Sequence, residues 1–112
     1  MVKRRKPTHP GEILDEDYIK PLKLNLQKLA DRLGIARNTL FKIRVGEASV
    51  TPSIALSLAE AFDTTPQLWL NLQINYDLWV GEHGHKHVQP IIKNGEILPT
   101  KQNRGITRAA FA

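Results

Sequence analysis

Between residues 37 and 42 the sequence groups side-chain types that hydrogen-bond to DNA. Arginine and lysine donate to guanine edges or phosphates, asparagine pairs with the edge of adenine, and threonine or an aromatic side chain contacts the thymine methyl. If this segment is helical, Arg37, Asn38, Phe41 and Lys42 share one face, and Thr39 flanks it. The pattern therefore predicts a nucleic-acid contact surface. The alternative is an ordinary solvated face on a surface helix.

The start of this segment breaks two local rules of helix formation. Ala36 is a poor N-cap, since it has no side-chain acceptor. Arg37 places a positive charge at the end of the helix where the dipole disfavours one. A bound polyanion would offset that placement, and breaches of local rules tend to mark functional positions.

The surrounding sequence predicts two short helices joined by a tight turn. Asn25 is a good N-cap, and apolar residues then recur at helical spacing up to Leu33. Gly34 stands where the end of a helix favours a left-handed residue. A second helix is predicted from about Ala36 to Val45. This helix-turn-helix would present the polar face, although such units also occur without nucleic acid.

Two other groups of reactive side chains do not support catalysis. The acidic residues 15–17 have no histidine or second cluster at a useful spacing, so a solvated helix face is expected. His83, His85 and His87 could bind zinc or nickel from one side of an extended chain, but a polar linker is the preferred interpretation. No nucleophile, carboxylate pair or phosphate loop supports an enzyme. An enzyme is therefore not expected, and neither a cofactor nor a bound metal is predicted.

Composition and charge favour one small basic domain. The chain has 112 residues, no cysteine and a net charge of +5. Residues 1–50 hold eleven Lys and Arg against six Asp and Glu, whereas residues 51–85 hold four acids and no Lys or Arg. A basic face on a helix-turn-helix is typical of duplex binding. Because no apolar run has signal or transmembrane length, a soluble cytoplasmic protein with no membrane contact is expected.

Three further helices complete a predicted all-α arrangement of five. The first begins near Pro10 and is expected to end at Pro21. The other two start at threonine N-caps followed by proline, and they run to about Asp63 and about Val80. The last helix is apolar around more than one stripe. One face should join the core, and the remainder is expected to face a partner; the alternative is that all of these apolar residues belong to the core.

The predicted organisation has three parts. Residues 1–8 form a basic N-terminal arm, residues 9–80 the helix-turn-helix domain, and residues 81–112 a C-terminal extension. Within the extension, Asn94-Gly95 between apolar pairs predicts a short β-hairpin. The segment 100–112 is expected to be a basic tail.

Four sequence blocks strengthen this interpretation. They are HPGE at 9–12, LADRLGI at 29–35, TPSIA at 51–55 and TPQLWLNLQINYDL at 65–78. With the turn, they make residues 7–80 resemble the lambda-repressor-like (Xre) DNA-binding domains, and more narrowly the HigA/VapI-type antitoxins of bacterial toxin–antitoxin pairs. The last block is the most specific, because generic Xre domains lack it.

The resemblance implies a set of DNA contacts. In such families the second helix of the turn enters the major groove. The contacts carried over to this sequence fall on Arg37, Asn38, Thr39 and Lys42, with Arg44 near the DNA backbone and Gln27 as a phosphate contact. The chain departs from the family where Thr-Gln commonly starts the first helix, since Asn25-Leu26 stands there and Gln27 is the nearest polar substitute.

The resemblance also implies a function. The protein would be an antitoxin that represses its own operon and neutralises a HigB/RelE-like mRNA interferase. A homodimer on two half-sites of operator DNA, about 34 Å apart, is the usual solution for so short a recognition helix. The alternative is a protein-interaction module that binds toxin without specific DNA binding.

Overall fold

The computed structural model describes residues 5–99, in which five helices precede a two-stranded sheet. Helix α1 comprises an α-helical turn Pro10–Ile13, a π-helical segment Leu14–Ile19 and a last turn Lys20–Leu22. The other helices are α2 Leu26–Leu33, α3 Arg37–Arg44, α4 Pro52–Phe62 and α5 Pro66–His83. The strands are β1 Ile92–Lys93 and β2 Glu96–Ile97. The predicted five-helix fold with a C-terminal hairpin is confirmed. Residues 1–4 of the basic arm and the tail 100–112 lie outside the described residues.

Side-chain caps begin three of the helices as the sequence predicts. The Asn25 side chain accepts a hydrogen bond from the Lys28 amide at 3.0 Å. The hydroxyls of Thr51 and Thr65 accept from backbone amides three residues further on, at 3.3 and 3.2 Å. Gly34 ends α2 in the left-handed conformation, with φ of 73°. The turn between α2 and α3 is therefore encoded locally.

The expectation that Pro21 ends the first helix is wrong. The helix continues through Leu22, and its last turn closes on Lys23 in the left-handed conformation, with φ of 52°. The amide of Lys20 donates to the carbonyl of Asp15, five residues back, which is the π-helical pattern. The wider π turn gives room for a proline ring that would clash in a regular helix.

The core lies where α1 to α5 meet. Its fully buried side chains include the large Trp69, whose indole N–H donates to the Thr64 hydroxyl at 2.8 Å. The Tyr18 ring packs between Phe62 and Trp69, with ring centroids 4.4 and 5.9 Å away. The remaining buried apolar residues are Leu14, Ile19, Leu29, Ala30, Leu33, Leu40, Ile43, Val50, Ile54, Ala55, Leu58 and Ala59.

Helix α5 continues three residues beyond the predicted end near Val80, to His83. Its inner face enters the core through Trp69, whereas Ile74 and Leu78 are exposed. In the sequence between residues 5 and 99, no helix is both long and apolar enough to cross a lipid bilayer.

The C-terminal hairpin forms at the predicted turn. Asn94 and Gly95 both have positive φ, 54° and 80°, as a tight two-residue hairpin loop requires. Ile92 pairs with Ile97 across the strands, and both side chains remain exposed. A two-stranded ribbon of this size is marginal by itself.

Candidate nucleic-acid interface

Helix α3 is embedded by one face and open on the other. Leu40 and Ile43 point into the core and are buried. Arg37, Asn38 and Lys42 are exposed on the opposite side. The predicted grouping of the polar side chains on one solvent-facing surface is therefore present, and the helix is held by its apolar side.

The N-terminus of α3 has the weak cap that the sequence indicates. Ala36 precedes the helix in an extended conformation, and its side chain makes no capping hydrogen bond. Arg37 lies in the first turn, where the open amides of the helix create positive potential. An anion at this end would find both the amides and the guanidinium group.

Backbone packing fixes the other end of α3. Gly11 of α1 lies directly against the carbonyl of Ile43; a Cβ atom on Gly11 would stand 1.7 Å from that oxygen. The amides of Glu47 and Ala48 both donate to the carbonyl of Lys42, at 2.7 and 3.1 Å. Together these contacts hold the C-terminal end of α3 against α1 and the loop that follows it.

An ion pair adds a second connection between α1 and α3. Nε of Arg44 lies 2.6 Å from the carboxylate of Asp15, and both side chains are mostly buried. Lys20 stands 3.4 Å from the other Asp15 oxygen. The expectation that residues 15–17 form a solvated face is therefore wrong for Asp15, because Arg44 reaches it across 29 positions of sequence.

His9 is the N-cap residue of α1, close to where α1 meets α3. Its Nδ1 accepts from the Gly11 amide at 2.9 Å, and its ring meets the Tyr76 ring edge to face at 4.8 Å. Burial lowers the pKa of His9 from its ordinary 6.5, against the opposing effects of Asp77 and a hydrogen bond with the Ala48 backbone. The neutral imidazole is thus the form that the folded protein favours.

The remaining predicted contact residues occupy less open positions. Thr39 and Arg44 are only partly exposed, at the two margins of the α3 face. Gln27 is exposed on α2, and its side-chain amide donates to Asp31 at 3.0 Å. The structure therefore brings Arg37, Asn38 and Lys42 onto one face and leaves the other three at its margin or on the neighbouring helix.

Two apolar side chains also lie exposed on α3 and its end. Phe41 and Val45 are 48% and 49% exposed. The sequence places Phe41 on the polar face as an aromatic group that can contact a thymine methyl, but Val45 is missing from that prediction. The spacing of four residues, which places Arg37, Phe41 and Val45 along one strip of a helix, is the signal that could have found Val45.

The histidine-rich segment does not assemble a metal site within residues 5–99. His83 belongs to α5, where its Nδ1 lies 2.7 Å from the carbonyl oxygen of Trp79. The rings of His85 and His87 are in edge-to-face contact, with centroids 5.4 Å apart. Along this described part of the chain, no group of three or more His, Cys, Asp or Glu side chains is placed to hold a metal ion.

Comparison with known proteins agrees with this geometry. A helix-turn-helix family profile matches residues 16–69. An HTH-type transcriptional regulator of Haemophilus influenzae is 45% identical over 87 residues, which is 78% of this chain and 81% of the relative. The antitoxin HigA-1 of Vibrio cholerae is 31% identical, over 80% of this chain and 85% of its own length.

A solved structure extends the comparison to the fold. The antitoxin GraA in complex with its operator superimposes with a TM-score of 0.73 at 36% identity, covering 83% of this chain and 99% of GraA. The relatives are transcription regulators and antitoxins, in keeping with the prediction that the chain is not an enzyme. The chain therefore belongs to the Xre-type helix-turn-helix family of transcription regulators that includes the HigA antitoxins.

Proposed function

We propose that this protein is a sequence-specific DNA-binding antitoxin that represses its own operon and neutralises a HigB/RelE-like mRNA interferase. The single observation that carries the DNA-binding part is the exposed face of α3 with Arg37, Asn38 and Lys42 together. The likeness to antitoxin GraA in complex with its operator supports the same assignment. The site of action is then the cytoplasm, where the operon is transcribed.

In this proposal α3 lies in the major groove of the operator. Arg37 donates two hydrogen bonds to guanine, Asn38 pairs with adenine, and Lys42 binds guanine or phosphate. Thr39 and Arg44 contact the DNA at the margins, and Gln27 of α2 reaches a phosphate. Phosphate contacts fix the register of the protein on the duplex, while base contacts give the sequence preference.

The protein acts as a homodimer in this proposal, and α5 supplies the contact. Ile74 and Leu78 stand one turn apart on α5 and are 53% and 56% exposed. They face away from the buried Trp69 and Gln73, so the core does not need them. Paired apolar stripes of this kind favour association of two identical helices.

The toxin-binding role rests on family membership and on charge. Residues 51–85 carry four acidic residues and no Lys or Arg. An mRNA interferase binds a polyanion and therefore carries cationic surface, which complements this acidic half of the molecule. The basic helix-turn-helix remains available for DNA.

A fluorescence-anisotropy titration with DNA from the protein's own promoter tests repression. We expect preference for this duplex over a scrambled one, with affinity that falls steeply as salt rises. Arg37→Ala should weaken binding by roughly 1–3 kcal/mol if Arg37 makes a bidentate base contact. Lys93→Ala, which removes one charge in the hairpin, is the matched control and should bind like the parent.

The outcomes separate the candidate functions. Equal binding by the Arg37→Ala variant and the parent would remove Arg37 from the base contacts. Indifference between the promoter and scrambled duplexes would leave a protein-interaction module that binds toxin alone. Co-expression with a HigB/RelE-like toxin tests the other role, since the parent should restore the growth of cells that express the toxin and form a complex that copurifies.

A further inference from the structure

The solvent-facing side of α3 carries an apolar patch among its polar groups. Phe41 and Val45 are each about half exposed, at 48% and 49%. A large apolar side chain that stays in water forgoes the free energy that its burial would contribute. The patch is therefore suited to a partner surface that is itself apolar at this point.

Helix geometry places Phe41 in the middle of the DNA-facing side. Successive residues turn by about 100°, so Phe41 lies between Arg37 on one side and Asn38 and Lys42 on the other. Val45 follows one turn later on the same strip. Any duplex that meets Arg37 and Lys42 together must also meet the Phe41 ring.

Base edges in the major groove present one apolar group, the C5-methyl of thymine. We propose that Phe41, flanked by Val45, packs against a thymine methyl in each operator half-site and fixes specificity at that base pair. This inference rests on the proposed DNA-binding function and adds a contact that hydrogen-bonding residues do not make. Because the contact is apolar, it contributes to sequence preference without contributing to the salt dependence.

Replacing thymine with deoxyuridine tests the proposal, since uracil lacks only the methyl group. Promoter duplexes are made with one symmetric pair of thymines replaced at a time, and their dissociation constants are measured by anisotropy. At one position in each half-site we expect the parent to lose about fourfold in affinity for each methyl removed, the value of one buried carbon. Replacements elsewhere should change little.

The variant Phe41→Ala completes a double-mutant cycle. It should bind the natural duplex more weakly than the parent and should not distinguish thymine from uracil at the sensitive position. Leu56→Ala on α4, another exposed apolar residue, is the matched control and should retain the parent's discrimination. Phe41→Leu keeps an apolar side chain and should keep part of the discrimination between thymine and uracil. It provides the test if the alanine variant does not fold.

The possible failures can be told apart. If the parent prefers the promoter duplex but tolerates uracil everywhere, the methyl contact is wrong while repression stands. If Phe41→Ala remains as sensitive to uracil as the parent, another residue reads the methyl and the assignment to Phe41 is overturned. No preference between promoter and scrambled duplexes would instead overturn the proposed function, and this inference with it.

Discussion

His9 and Gln73 are the polar side chains that the helical domain buries among residues 5–99. Both polar atoms of the Gln73 side chain are hydrogen-bonded: its oxygen accepts from the Val50 amide at 2.8 Å, and its nitrogen donates to Asp77 at 2.9 Å. His9 differs because its hydrogen bonds use the neutral ring, with Nδ1 as an acceptor. A proton on that nitrogen would break the cap of α1 at the point where α1 meets α3.

Stability should therefore depend on pH through His9. Its pKa is lowered on folding from the ordinary 6.5, chiefly by burial, so the unfolded chain binds a proton more readily. The free energy of unfolding should be constant above about pH 6.5 and fall as the pH drops below it. Urea denaturation of the parent and of His9→Asn between about pH 7 and pH 5 measures this.

Asparagine is the appropriate replacement because it caps helices and does not titrate in this range. The three other histidines are present in both proteins, so their contribution cancels in the comparison. We expect the stability of His9→Asn to change less with pH than that of the parent. Parallel curves for the two proteins would show that His9 does not control the acid response.

Residue chemistry could be predicted where it depends on local spacing. Arg37, Asn38 and Lys42 follow helical periodicity, so their shared exposed face could be inferred from the sequence. The pairing of Asp15 with Arg44 could not, since it joins residues 29 positions apart on helices whose packing angle is a tertiary property. Whether Arg44 is open to DNA depends on that pairing.

At the scale of elements, helix starts were predictable, whereas the ends of α1 and α5 were not. Asn25, Thr51 and Thr65 carry their capping information in adjacent residues. Pro21 predicted a break, but the π-helical winding of α1 carries the chain through it. Proline rules describe regular α-helices, and nothing in the local sequence signals that the preceding turn is wider.

The contact of α1 with α3 depends on the absence of one side chain. Gly11→Ala would place a Cβ atom 1.7 Å from the carbonyl oxygen of Ile43, so the two helices must separate. We expect a loss of about 3 kcal/mol in the free energy of unfolding and weaker operator binding by the folded fraction, because α3 is displaced. Thermal denaturation measures the loss of stability, and fluorescence anisotropy measures the operator binding.

Gly81→Ala is the control for this prediction. Gly81 lies in α5, and beyond its own stretch of helix no atom lies within 4 Å of an added Cβ. Alanine should be neutral there or stabilise the helix by up to about 1 kcal/mol. Similar melting temperatures for Gly11→Ala and Gly81→Ala would mean that α1 and α3 can repack without cost.

For the whole molecule, charge and exposure separate two surfaces. The basic half contains α2 and α3, and residues 51–85, which form α4 and α5, are acidic. In the proposed function, the basic helices bind DNA and the acidic segment meets a cationic protein. The overall charge asymmetry could be read from the sequence. The exposed residues of α5 could not, because they depend on how Trp69 and Gln73 pack in the core.

The dimer proposed through α5 can be disrupted without touching α3. The double variant Ile74→Glu with Leu78→Glu places two charges on the exposed stripe, and we expect it to sediment as a 12.7 kDa monomer where the parent has twice that mass. Leu56→Glu is a matched control, because Leu56 is 55% exposed on α4. The disrupted variant should lose most of its affinity for the full palindrome, since two linked half-sites bind cooperatively. Its affinity for a single half-site should equal that of the parent, because the recognition helix is unchanged.

A double variant that still sediments as a dimer would exclude this stripe of α5 and direct attention to the hairpin, whose Ile92 and Ile97 are 62% and 78% exposed.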